Sequence, residues 1–498
     1  MKRLAAIIVL FVSLISQVST IHAKQSGDLK TSEQTKACIG CHSMVTSGIV
    51  KDWESSAHAK ITPADARKKP EIKRLISSDN IPANLSSVAV GCYECHGLNK
   101  QDHKDNFEHN GFKINVVVSP KDCGVCHSVE AKEYSNSKKA HAVKNLLDNP
   151  VYHQLLDASL SQMDYKAGQI KTHKPSEKTK HETCLGCHGT RVEVKGLKTV
   201  NSQMGEMKVP NLTNWPNVAV GRENPDGSIG SCSACHPRHS FSMEIARKPY
   251  TCAQCHLDPD VPAWNVYKES KHGNIYLSKW HEWDFKPADW TIGRDFKAPT
   301  CATCHNSQVI SGDGQVVAKR THDFGSRLWL RLFGLIYSHP QPVSGNTTLI
   351  KNKEGLPLPT SLTGEIAPKG LISQEEQKKR LQGMKQLCLN CHSTKWVDGH
   401  FEKMDNTIKE TDKMTLTATQ LMLDVWKSKV EDQSNLFDET IERMWVRQWL
   451  FYANSIRYSS AMTGAPDYAA FKNGWWSLSE TMNQMRDWYK LKTKTGKR

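Results

Sequence analysis

Apolar positions are distributed unevenly along this chain. Behind Lys2-Arg3 runs an almost wholly apolar stretch, Leu4 to Ile15, followed by Ile21-His22-Ala23, which reads as a small-residue cleavage site. This order predicts an export signal over residues 1–23, cut after Ala23. About a dozen apolar residues fall short of the roughly 20 that span a bilayer. The best later stretch, Leu328 to Tyr337, is interrupted by Arg331. Gly189 to Ser231, with Gly205, Pro210, Trp215-Pro216 and Asn224-Pro225-Asp226-Gly227, reads as an elaborated loop, as does the proline-rich stretch Ser338 to Pro368. Past Pro368 only Pro466 interrupts the chain, and Leu421 to Trp426 and Phe437 to Tyr458 have the spacing of long amphipathic helices. The tryptophans concentrated there are expected to be core or subunit contacts.

Composition makes this pattern harder to fold by side chains alone. At 498 residues, 38% apolar is thin for several conventional cores, so something else is expected to fill the interior. The 16 cysteines indicate what it is. They form eight Cys-x-x-Cys-His units with none left over: Cys38/Cys41/His42, Cys92/Cys95/His96, Cys123/Cys126/His127, Cys184/Cys187/His188, Cys232/Cys235/His236, Cys252/Cys255/His256, Cys301/Cys304/His305 and Cys388/Cys391/His392. In such a unit both thiols add to haem vinyl groups as thioethers and the histidine becomes an axial iron ligand. One copy alone could be a zinc or redox pair; eight predict eight covalently bound haem c groups, and hence periplasmic assembly. All sixteen cysteines are thus expected to lie against haems that form much of the core. The expected fold is mainly α, with short helices and loops packed around the haems. Residues 24–370 would form a haem-packed domain with seven motifs, and residues 371–498 the eighth motif and a helical oligomerisation region.

Charge follows the same logic. The formal +15 falls to +13 once Lys2 and Arg3 are removed. Eight haems add roughly −16 of propionate and about +8 of ferric core, leaving the mature protein near neutral. The basic excess therefore reads as propionate compensation, and no basic-aromatic module suggests nucleic acid.

A haem with histidine on both faces carries electrons but cannot bind substrate without losing a ligand. Three histidines recur in one setting: Trp53-x-x-Ser56-x-His58, Tyr134-x-x-Ser137 with His141, and Tyr267-x-x-Ser270-Lys271-His272. In each, a short helix could pack its aromatic on a porphyrin and point the histidine at iron. With His109, His239, His322 and His400 they make seven candidate sixth ligands, leaving one haem open. His103, His153, His173, His181, His281 and His339 are expected to be solvated loop residues.

The chain resembles the hydroxylamine oxidoreductase family of octahaem cytochromes. The resemblance rests on the motif order, Cys232-x-x-Cys235-His236-Pro237-Arg238-His239-Ser240-Phe241-Ser242, Arg247-Lys248-Pro249, Tyr267 to Gly273 and Thr321-His322. It implies an open, catalytic haem at the fourth motif, with His188 as its proximal ligand, and a homotrimer. Oxidative members carry an Asp-His pair after the sixth motif, matched here by Asp260-Val261, and a haem-crosslinking Tyr, matched by Phe471 unless Tyr468 takes its place. The acid is present, but the imidazole and the phenol at those positions are not. The resemblance thus implies reduction of nitrite or hydroxylamine to ammonia, with Asp260 positioning water or donating protons and a cytochrome or quinol-linked donor as redox partner. An oxidative hydroxylamine dehydrogenase and a non-catalytic electron conduit are the alternatives. Lys171, His173, Lys174, Lys178, Lys180 and His181 could steer an anionic substrate inward.

Overall fold

The computed structural model describes residues 30–202, 205–431 and 433–495. The expected export signal lies outside the described residues. No helix among the described residues is long and apolar enough to cross a membrane.

Up to His305 the helices are short, the longest being Glu33–Val45 with 13 residues. Several cysteine motifs form their own turn of helix, as in Cys92–His96, Cys184–His188 and Cys301–His305, whereas the first lies within Glu33–Val45. Sheets among the described residues are five separate two-stranded antiparallel pairs. They include β1 (Asn106–His109) with β2 (Phe112–Asn115), β3 (Gln162–Lys166) with β4 (Gln169–His173), and β5 (Glu193–Ser202) with β6 (Gly205–Thr213). The β5–β6 hairpin corrects the expectation of an elaborated loop over Gly189 to Ser231. Pro210 sits within the ladder opposite Leu197, beside a register shift, and Val194, Val200 and Val209 belong to the same ladder, paired from Glu193↔Thr213 to Ser202↔Gly205.

The C-terminal region holds the long helices: α1 (Gln374–Leu389), α2 (Thr394–Lys427), α3 (Thr440–Val446), α4 (Ala453–Ala461) and α5 (Trp475–Thr495). A π-helical stretch, Arg447–Tyr452, joins α3 to α4. Helix α2 starts where the Ser393 hydroxyl accepts the Trp396 N–H. It buries Val397, Phe401, Met404, Ile408, Thr411, Thr415, Ala418, Met422 and Val425, alternating steps of four and three along one seam. The buried threonines keep their hydroxyls satisfied within the helix, Thr415 donating to the Thr411 carbonyl and Thr419 to that of Thr415. Trp445 and Trp449 are fully buried against this seam, and Trp445 Nε1 donates to Thr419 Oγ1 at 2.9 Å. Leu335, Ile336 and Tyr337 complete the same core, so the apolar stretch interrupted by Arg331 packs beneath the C-terminal helices.

Two histidines expected in solvated loops are buried instead. His339 is 1% exposed, its Nδ1 donating to the Pro340 carbonyl. His103 is 4% exposed and lies between Asp105 and Asp122, each at 3.1 Å. Burial alone would lower its pKa, but the hydrogen bonds to Asp105 and Asp122, and the charges behind them, outweigh it and raise the pKa to about 10. Isolated polar residues carry no signal that two carboxylates will converge on them. Because the folded value lies above the ordinary 6.5, the stability contributed is full below that pH and is lost as pH rises through 10. His103→Gln is expected to lower stability by about 3 kcal/mol near pH 6. Equilibrium denaturation of both proteins should show the difference shrinking towards alkaline pH; a constant difference would contradict the ion-pair account.

Candidate active site

A continuous, largely apolar cavity of about 1690 Å³ runs through the protein. Its lining includes Cys95, Cys123, Cys126, Cys184, Cys187, Cys232, Cys235, Cys252, Cys255, Cys301, Cys304, Cys388 and Cys391, together with most of the histidines that follow them. All sixteen cysteines are free of disulfides.

Cys41 stands apart from most motif cysteines. It is exposed, as is Cys391, and with Cys38 and Cys92 it stands outside the cavity lining. The reason is the place of the first motif in the fold. Its helix, Glu33–Val45, buries only Thr35, so it lies on the surface with no protein layer over the Cys41 side. Cys38, one turn back, is partly buried and contacts Cys92 of the second motif.

Two imidazoles bound to opposite faces of one iron, each about 2.0 Å from it, hold their ring centroids roughly 6 Å apart. Five pairs have this spacing: His42–His109 at 6.1 Å, His58–His127 at 6.2 Å, His96–His239 at 6.5 Å, His236–His322 at 6.5 Å and His272–His392 at 6.0 Å. Every pair joins a motif histidine to one of the expected sixth ligands. The first of them, beside Cys38 and Cys41, would hold a haem between His42 and His109. The donor set and the cavity therefore fit haem c.

Ring nitrogens elsewhere are oriented for the same task. His96 Nδ1 lies 2.8 Å from the Asn115 carbonyl and His188 Nδ1 lies 3.4 Å from that of Ala142. A proton committed there leaves Nε2 as the lone-pair donor.

The remaining two expected sixth ligands face no motif histidine. His141 directs its Nε2 to the Ser135 carbonyl at 2.9 Å. His400 bonds Thr463 Oγ1 through Nδ1 at 3.0 Å and stacks on Trp396, which in turn stacks on His392. Among the described residues, His188, His256 and His305 have no histidine ring at the paired spacing.

Thiols of different motifs also approach one another, which orders the motifs in space. Besides Cys38 with Cys92, Cys123 contacts Cys232, Cys187 contacts Cys255, and Cys252 contacts Cys301. Weaker electrostatic proximity links Cys95 to Cys126, Cys235 to Cys252, and Cys304 to Cys388. These neighbours link the first, second, third, fifth, sixth, seventh and eighth motifs in series, and the fourth to the sixth.

Around His188 the cavity collects polar groups. Burial is the main cause of its lowered pKa, and Asp260, Arg331 and Lys139 all act on it electrostatically. Asp260 opens into the cavity; the surrounding protein shell raises its carboxyl pKa, with its own and Val261's backbone N–H groups and His188 opposing. Its backbone carbonyl accepts from Asn454 Nδ2 of α4 at 3.2 Å. Tyr458, held on α4, lines the same space, and burial raises its pKa with Arg331 opposing and Asp260 adding. Arg331 and Tyr458 were not legible as site residues, because one interrupts an apolar stretch and the other ends an amphipathic helix. Val261 presents an apolar side chain beside Asp260 in the cavity lining.

Two of the basic residues before the fourth motif are tied to acids. Lys180 is 8% exposed and paired with Asp157 and Glu177, each at 3.2 Å, and His173 lies 3.0 Å from Asp164. Tyr468 is buried and its hydroxyl lies 3.4 Å from Asp258 Oδ2, whereas Phe471 is 63% exposed.

These features define a multihaem c-type cytochrome. A family model described as "Seven times multi-haem cytochrome CxxCH" matches residues 213–321, and one described as "Cytochrome c554 and c-prime" matches residues 122–209. A solved structure titled "Hypothetical multiheme protein" has a TM-score of 0.89 at 44% identity, covering 96% of this chain and 100% of that one. The reducing HAO-like protein complex of Kuenenia stuttgartiensis shares the fold, with a TM-score of 0.59 at 18% identity over 93% of this chain and 86% of that one. A Kuenenia stuttgartiensis protein named "Probable nitrite reductase-hydroxylamine oxidoreductase fusion protein" is 26% identical over 394 residues, 77% of this chain but only 37% of that protein. The chain belongs with the multihaem cytochromes c, and it is similar to proteins named for nitrite reductase and hydroxylamine oxidoreductase.

Proposed function

We propose that this protein binds eight haems and reduces nitrite and hydroxylamine to ammonia at the haem carried by Cys184, Cys187 and His188. The observation that carries the reading is the surroundings of His188. No histidine among the described residues faces it at ligand spacing, and Asp260, Tyr458 and Arg331 gather there instead. Haem bound at this position supplies an open iron coordination site and the electrons for reduction. The protein's part is to bind the anion, to deliver protons and to bring electrons in. The Arg331 guanidinium offsets the charge of nitrite. The Asp260 carboxyl, whose pKa is raised by burial, holds a proton closer to neutral pH and can pass it to the nitrogen or oxygen being reduced. The Tyr458 hydroxyl offers a second donor. Six electrons and eight protons convert nitrite to ammonium, and two electrons and three protons convert hydroxylamine, so a line of motifs with a branch beside the site suits the demand. Its two ends, the first and eighth motifs, carry the exposed cysteines Cys41 and Cys391, where a donor could approach.

The reductive direction is supported by Phe471, which has no phenol oxygen for a crosslink, and by Tyr468, whose hydroxyl is committed to Asp258. The molecule is further proposed to work in the periplasm with a cytochrome or quinol-linked donor. A homotrimer is proposed too: Phe471 and Trp476 form an exposed aromatic pair at 6.5 Å, and the β3–β4 hairpin exposes Met163, Tyr165 and Ile170.

With a strong reductant and a redox dye, the purified holoprotein is expected to consume nitrite and hydroxylamine and form ammonium. Its oxidised form is expected to show a high-spin haem signal. If neither substrate is consumed and all haems are low-spin, the reading fails.

A further inference from the structure

We propose that Lys139, not His141, is the sixth ligand of the haem carried by Cys252, Cys255 and His256. This inference rests on the haem-binding reading above and adds a ligand of a different chemical kind.

Three segments of the chain fold into one local structure. After Trp53, Tyr134 and Tyr267 the chain turns in the same way: the N–H groups of Ser56, Ser137 and Ser270 donate to the carbonyls of those aromatics, each at 2.9 Å. All three serines are buried, at 3%, 1% and 2% exposure. Each serine hydroxyl then accepts a backbone N–H three residues on, from Ala59 at 3.3 Å, Ala140 at 3.4 Å and Gly273 at 3.1 Å. The residue just before that small residue is His58 in the first segment and His272 in the third, each facing a motif histidine at 6.2 and 6.0 Å. In the second segment the equivalent residue is Lys139. His141 lies two positions further, beyond the turn, which is why its ring reaches the Ser135 carbonyl instead.

The tertiary structure completes the equivalence. Lys139 Nζ lies 3.5 Å from His256 Nε2, a motif histidine that no other described histidine faces. Two nitrogens on opposite faces of one iron are roughly 4 Å apart, so this spacing suits an iron between them better than any role for Lys139 at the protein surface. Its side chain enters the haem cavity, with the Phe324 ring 5.0 Å to one side. Among the described residues no carboxylate lies within 4.0 Å of Lys139 Nζ. Ligation forms one iron–nitrogen bond and requires the unprotonated amine, so one proton leaves Nζ for solvent.

The position gives the ligand its significance. Cys255 contacts Cys187, while Cys252 contacts Cys301 and lies near Cys235. The sixth motif is therefore the branch point through which electrons reach His188 and its surroundings. An amine–imidazole haem at that junction differs from its bis-imidazole neighbours in potential, and so sets the last electron transfer before chemistry.

Near-infrared magnetic circular dichroism of the oxidised holoprotein tests this, since it separates amine–imidazole from bis-imidazole low-spin haem. Wild type is expected to show one amine–imidazole haem. K139H is expected to lose that signal, gain one bis-imidazole haem and keep the haem-to-protein ratio. K139M is expected to lose the signal and gain one high-spin haem, which added imidazole returns to low spin. His141→Ala is expected to leave the amine signal intact. A wild-type spectrum without an amine–imidazole haem, or one unchanged in K139H, overturns the proposal. A haem-to-protein ratio of wild type well below eight would instead count against the underlying haem reading, so the two failures are distinguishable.

Discussion

Asp260→Asn is expected to lower kcat for nitrite and hydroxylamine reduction about a hundredfold, the lower end of what a positioned proton donor contributes. Asparagine preserves the size of the side chain and the backbone carbonyl that accepts from Asn454, so the loop keeps its place. What is lost is the titratable proton, held in a cavity whose protein shell makes the carboxylate harder to form. Proton delivery acts in the reaction and adds little to ground-state binding, so KM should change far less than kcat. Steady-state kinetics with both substrates, beside the haem content and high-spin signal of the variant, are the measurement. A kcat within threefold of wild type, with haem content unchanged, would remove Asp260 from the proposed chemistry. By contrast, loss of Arg331 is expected to weaken nitrite more than hydroxylamine, because only nitrite carries the charge that a guanidinium compensates.

Asp412→Ala is expected to destabilise the protein by about 3–5 kcal/mol, because it strands a buried guanidinium. Arg457 is fully buried and bonds Asp412, the Leu332 carbonyl at 3.2 Å and Asn454 Oδ1 at 3.2 Å. Asp412 also accepts from Ser338 Oγ at 2.6 Å, so one carboxylate ties α2 to the stretch that carries Arg331. Replacing both members of the pair, Asp412→Ala with Arg457→Met, should recover part of the loss, since no unpaired charge is then buried. Thermal or denaturant unfolding of the two variants is the test; equal destabilisation would argue against a charge effect. Asn454 joins Arg457 to the Asp260 carbonyl, so the single variant is also expected to slow turnover more than its loss of folded protein explains.

What the fold adds at these positions has one origin. His141 and Lys139 sit two residues apart on one turn, and residue type alone does not tell which of them lines the cavity; Lys139 does and His141 does not. The Ser137 cap sets the register, and it points Lys139 inward. Likewise His103 and His339 carry nothing in their neighbours along the chain that announces burial, because Asp122 and Arg331 arrive from elsewhere. Lys180 looked like part of a free cationic rim until Asp157 came up beside it.

The sequence by itself determined the covalent chemistry: eight Cys-x-x-Cys-His units act within five residues, so their meaning does not depend on the fold. It also pointed to the helical C-terminal region, since Leu421 to Trp426 and Phe437 to Tyr458 carry a local apolar period. Only the tertiary structure decided which histidines face one another, that the fourth motif branches from the sixth, and that Arg331 and Tyr458 join Asp260 beside His188. The physical reason is distance along the chain: axial partners such as His96 and His239, or His236 and His322, are brought together by packing around shared cavities, and no local rule encodes that meeting.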